Sequence, residues 1–270
     1  MIESKQNMQS LFTTLAYYTP SSAYTHSSSY AQQGMGHYDG FTLIGIGLII
    51  LCTLLGVIVQ NRMMASMRKF SATPAPFSGA DVAHAMLQAN GIHDVRIIST
   101  KGQLTDHYNP ANRTVNLSED VYNVRSVAAM AVAAHECGHA IQHAQAYPWL
   151  SLRSQLVPLV SIGSKFGQFV LILGLILLGM GSGATVAWFG LLLFGTTTVF
   201  AFVTLPVEFD ASRRALAWLD SSGMADRAMH GQAQTALRWA AMTYVSAALS
   251  SLAMLVYYAL MILGRSNDRH

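Results

Sequence analysis

Charge is what this sequence has least of. Charged residues make up 11% of its 270 positions and hydrophobic residues 52%, with a mean hydropathy of +0.34. Soluble domains carry about 25% charged residues, so the shortage argues against an ordinary soluble enzyme and points to a bilayer. Cysteine is scarce as well. Cys52 and Cys137 are the only two, which excludes a disulfide scaffold, and their contexts differ too much for them to pair. The net charge of +3 is small and follows from topology, so nucleic-acid binding has no support. A secretory signal is not expected, because the first apolar run lies far from the start and lacks a small-residue cleavage site.

What is present begins with three charge-free tracts: 40–61 (22 residues), 166–206 (41 residues) and 239–264 (26 residues). One span needs about 20 residues, so the outer tracts suit one span each and the middle one suits two. Gly181-Ser182-Gly183 is the natural turn between that pair. The predicted spans lie near 41–60, 164–180, 184–205 and 240–263, the second starting near Lys165 or letting that side chain snorkel. Thirteen of the 16 Lys and Arg residues fall either between the first and second spans or between the third and fourth. The positive-inside rule puts both loops in the cytoplasm and both termini outside.

The expected organisation is therefore mainly α. A Ser- and Tyr-rich disordered extracytoplasmic tail covers 1–39, followed by a transmembrane helix at 40–61. A small α+β cytoplasmic unit takes 62–163, a transmembrane hairpin 164–205 and a cytoplasmic segment 206–239. A last transmembrane helix at 240–264 leaves a tail at 265–270. Within the unit, 79–90 reads as an amphipathic helix closed by Asn90-Gly91. Residues 95–99 and 114–117 read as strands around a polar turn at 106–113, and Ser118 reads as the cap of the next helix.

The chemistry sits in His135-Glu136-Cys137-Gly138-His139. Residues four apart share one helix face, so both imidazoles can reach one ion, and Glu136 can take a proton from water activated there. The flanks are rich in Ala and Val without Pro until Pro148, which supports the helix. Gly138, without a side chain, lets a substrate or a second backbone come close. A catalytic zinc site needs a third protein ligand. After His139 the acids are Glu208, Asp210, Asp220, Asp226 and Asp268. His143 would drift off the face and reads as an exposed or supporting polar group. Glu208 follows the third span directly, so a tight hairpin returns it to the side of the histidines. Its bland alternative is an interfacial carboxylate paired with Arg213 or Arg214. Asp106 is a candidate acceptor for a ligand imidazole, and His107 reads as a solvated turn residue or a substrate contact.

Three stretches carry a resemblance: Leu104 to Pro110, Val127 to Gln142 (VAAMAVAAHECGHAIQ) and Thr204 to Ala217 (TLPVEFDASRRALA). Together with the span pattern over about residues 36 to 263, they resemble the neutral zinc metallopeptidases of bacterial membranes. The resemblance implies Zn2+ on His135 and His139, Glu136 as base, and a ligand in the Glu208 motif. It also implies that the cytoplasmic α+β unit carrying this helix is zincin-like, with an edge strand near the metal helix able to pair with an extended substrate. A more distant likeness is to membrane zincins with a Glu-x-x-Ala-Asp motif. Here Ser212 stands in place of that Asp, and Asp210 is the candidate to replace it, with Arg213 beside it.

The expected function is a zinc endopeptidase of the bacterial inner membrane. Its site would face the cytoplasm, and its substrates would be membrane-associated or unfolded polypeptides. Two alternatives remain. An intramembrane protease of the site-two type is one, although no Asp falls in any predicted span. The other is a non-catalytic scaffold with structural zinc, which would have no use for Glu136.

Overall fold

The computed structural model describes the backbone of residues 40–267 and the side chains of 42–264; the expected tail at 1–39 lies outside the described residues, as do 268–270. Seven helices and one small sheet make up the described part. They run α1 (Gly40–Ser71), α2 (Gly79–Ala89), β1 (Arg96–Thr100), β2 (His107–Asn109), β3 (Thr114–Ser118), α3 (Glu119–Tyr122), α4 (Val127–Ala144), α5 (Pro148–Gly179), α6 (Ala184–Ser221) and α7 (Arg227–Asn267).

Four of these helices, α1, α5, α6 and α7, are long and apolar enough to cross a membrane. They pack as a row, α5 on α6, α6 on α7 and α7 on α1. Their outward faces present Leu43, Ile44, Leu54, Phe169, Leu192 and Val256, a surface suited to lipid rather than water. Glycines seat α5 against α6. A Cβ at Gly174 would strike the backbone of Ala187, and one at Gly190 that of Leu171. Close approach at small residues is how helices associate where burial of apolar surface drives nothing. Gly181 and Gly183 turn the hairpin with φ of 97° and 90°, values that favour glycine.

The helices outrun the charge-free tracts. α5 starts at Pro148 rather than near 164, because Arg153 and Lys165 interrupt the apolar run without interrupting the helix. Pro148 occupies its first turn, where a missing N–H costs nothing. α6 continues past Leu205, the expected end of the third span, to Ser221, so Glu208 lies within it.

The remaining elements form a compact unit packed on the ends of α6 and α7. Its core gathers Val82 and Met86 of α2, Val115 and Leu117 of β3, Met130 and Cys137 of α4, Leu219 of α6 and Leu237 of α7. α2 carries a capping box between Ser78 and Asp81 and ends at Asn90, before Gly91 with φ 68°. The sheet order is β1-β3-β2, β1 parallel and β2 antiparallel to β3. β2 lies inside the segment expected to be only a turn. The turn itself is shorter, built on Asn109, whose Oδ1 accepts from Ala111 N at 3.0 Å. Ser118 makes no side-chain cap to α3. Its N and Oγ donate instead to Asp106, at 2.7 and 3.1 Å.

Candidate metal centre

The centre forms where α4 crosses α6. Ser126 caps α4 by accepting from Ala129 N, and the Ala-rich first half of the helix is buried in the core. The motif is thereby delivered on a rigid rod. At the crossing, Gly138 meets α6 so closely that a Cβ would lie 2.6 Å from Ala211 O. Of the two uses its missing side chain permits, approach by a second backbone is the one observed.

That contact brings together what the sequence separates. The ligand atoms of His135, His139 and Glu208 all lie within 4.8 Å of one another. Glu208 Oε2 stands 3.3 Å from His135 Nε2 and 3.7 Å from His139 Nε2. It is buried and has no hydrogen-bond partner among the described residues. Its companion Oε1 accepts from Arg153 NH1 at 3.2 Å, an arginine that comes from α5 and lies over the Phe200 ring. A buried carboxylate oxygen without a hydrogen bond is costly, and the ion-pair neighbours of this one are the two imidazole nitrogens.

The far nitrogens explain how those imidazoles are set. His139 Nδ1 lies 3.0 Å from Gln142 Oε1, and His135 Nδ1 lies 3.1 Å from Ser212 Oγ. A carbonyl oxygen only accepts, so His139 Nδ1 donates, and in the neutral ring that leaves the Nε2 lone pair for an ion. Two histidine nitrogens and one carboxylate oxygen converging in a buried pocket are the donor set of a catalytic zinc site. The residues present therefore fit a zinc ion. Burial alone would lower the His139 pKa, but the neighbouring Glu208 and Glu136 carboxylates outweigh it and hold it above the ordinary histidine value.

Glu136 is buried beside this group, its Oε2 accepting from Tyr108 N of β2 at 3.0 Å. The strand missing from the sequence reading thus serves the motif's acid directly. Tyr108 OH lies 2.7 Å from His143 Nδ1, which places exposed His143 beside the strand and outside the cradle. His107 is buried, not solvated, with Nδ1 2.7 Å from Thr105 O. Asp106 anchors the start of β2 to Ser118. Arg213 and Arg214 pair with Asp210 rather than with Glu208. Arg153, Gln142 and Ser212 were not foreseen as contacts of the ligands. Gln142 sits one turn beyond His139, and Ser212 stands where the more distant likeness puts a motif Asp; Arg153 carried no local signal. Cys137 faces the core, with Sγ 3.7 Å from Ala83 O, and burial pushes its thiol pKa up.

A helical protein with four apolar helices and a buried two-histidine, one-carboxylate cluster is the class that fold and site define. The profile of the family described as "Putative neutral zinc metallopeptidase" matches residues 45–263, and the chain belongs to that family. It is also 38% identical over 228 residues to a Bacillus subtilis (strain 168) protein called "Putative membrane protease YugP", across 84% of this chain and the whole of that relative. No solved structure gives a significant match.

Proposed function

We propose that the protein is a zinc-dependent endopeptidase working at the cytoplasmic surface of the bacterial inner membrane. The carrying observation is the convergence of His135, His139 and Glu208 on one point, with Glu208 Oε2 unpartnered and Glu136 buried alongside. His135, His139 and Glu208 hold the ion. Bound there, zinc supplies Lewis acidity for activating water and polarising a peptide carbonyl.

The chain's own groups do the rest. Glu136 accepts the proton of the attacking water and passes it to the leaving amine. The Tyr108 N–H holds that carboxylate in place. Arg153 occupies Oε1 of Glu208, so only Oε2 is presented to the ion. His135 is the least buried ligand, its side chain 14% exposed against 3% for His139 and Glu208. Substrate therefore enters past His135. Tyr108 belongs to β2, the outer strand of the sheet, which packs against α4 and so brings its N–H to Glu136.

Depth supports a surface site over an intramembrane one. Glu208 lies 24 residues beyond the start of α6, about 36 Å along the helix at 1.5 Å per residue, and the hydrocarbon core is about 30 Å thick. The abundance of basic residues on the same side supports a cytoplasmic orientation.

Replacing Glu136 by Gln tests the mechanism. The amide keeps the shape but cannot act as base, so zinc content should stay stoichiometric while cleavage of unfolded and membrane-associated polypeptides falls by ~10²-fold or more. Wild-type turnover by Glu136→Gln would remove that residue from the chemistry. A wild-type protein that holds zinc but cleaves no polypeptide would favour the scaffold reading.

A further inference from the structure

We propose that Gln142 is the positioning residue for His139, connecting its imidazole to the Asp210 carboxylate across the crossing of α4 and α6. The inference rests on the zinc-site reading above and deepens it.

Both ends of the amide are occupied. Oε1 lies 3.0 Å from His139 Nδ1, while Nε2 donates to Asp210 Oδ2 and to Val207 O, each at 2.9 Å. The two acceptors at Nε2 fix which way the amide points. That orientation forces the proton onto His139 Nδ1 and turns the Nε2 lone pair into the cradle. Gln142 is fully buried, and His139 and Asp210 are nearly so, so the bonds are screened little by water and are costly to leave unmade. Asp210 is held in turn by Arg213 and Arg214 from the next turn of α6.

The choice of an amide has a physical reason. A carboxylate directly on His139 would put a third negative charge beside Glu136 and Glu208 in one buried pocket. Through Gln142, the charge of Asp210 polarises the ring from further away, where two arginines balance it. Val207 O, one residue before Glu208, is bound by the same amide. One side chain therefore sets the tautomer of His139 and ties its helix to the helix of the third ligand.

The test uses the full-length protein in detergent, with Gln142→Met, Asp210→Ala and the double variant. Nitrogen-15 NMR of the imidazoles in the zinc-free protein reads the tautomer, and competition against a chelator reads zinc affinity. At a pH high enough to leave the His139 ring neutral, wild type should show it as the single Nδ1–H form, and Gln142→Met should show a mixture. Zinc affinity should fall about 10–100-fold in Gln142→Met, as for other residues that orient metal ligands. It should fall less in Asp210→Ala, and the double variant should be no weaker than Gln142→Met. An unchanged tautomer in Gln142→Met, or losses that simply add, would overturn the proposal. Should Gln142→Met fail to fold, Asp210→Ala decides alone, and unchanged affinity and tautomer there would overturn it. Because the tautomer is read without metal, a wild-type protein that binds no zinc refutes the site itself and is recognised as doing so.

Discussion

At the scale of single residues, the cluster separates groups that would hold an ion from groups that position them. His135→Ala or His139→Ala removes one of two imidazoles whose shared helix face gives the site its chelating geometry. Either change should abolish tight zinc binding, measured as metal content after purification. Glu208 and Asp210 lie two residues apart on α6 and carry the same charge, yet their surroundings differ. Glu208 Oε2 faces the imidazoles unpartnered, whereas both Asp210 oxygens are taken up by Gln142, Arg213 and Arg214. Glu208→Gln should weaken zinc affinity markedly, and Asp210→Asn far less. Chelator competition giving the reverse ranking would move the ligand to Asp210.

At the scale of elements, the helices were legible and the details of the sheet were not. A helix four turns or longer announces itself by composition over many residues, as with α4 from Ser126 onward. β2 is three residues long, too short for alternation to register, and its partner β3 had to be in place before its pairing could be seen. Glu208 was legible because hairpin geometry returns it to the histidines. Arg153 was not, since an arginine before an apolar tract reads first as an interfacial charge, and only the paired helices show it reaching Oε1 of Glu208.

The crossing of α4 on α6 supplies the prediction at this scale. Gly→Ala in an exposed helix gains about 1 kcal/mol. At Gly138 the new methyl meets the backbone of Ala211, which cannot rotate away. Overpacking of this kind costs about 1–3 kcal/mol. Gly138→Ala should therefore lower the thermal midpoint and also weaken zinc binding, because the helices part where the three ligands meet. A stabilised variant with normal zinc affinity would show that the close approach is dispensable.

At the scale of the whole molecule, the two buried cysteines leave a quiet background for labelling. Ser182, in the turn between α5 and α6, is exposed, as are Gln103 and Ser222 on the opposite side of the helical row. With the proposed orientation, Ser182→Cys should react with an impermeant thiol reagent applied outside intact cells. Gln103→Cys and Ser222→Cys should react only after lysis. The opposite pattern would place the site outside the cytoplasm.

The hairpin between the histidines and Glu208 also orders events in time. The ribosome delivers His135 and His139 long before Glu208, and two membrane crossings separate them. With the proposed orientation, a nascent chain exposes its helix motif to the cytosol while it still lacks the third candidate donor and Arg153 has no Glu208 to bind. On the proposed reading, a chain stalled before α6 enters the bilayer would remain unarmed. A version ending at Leu205 should accordingly retain little zinc even when its motif helix is intact, as metal analysis of the purified fragment would read.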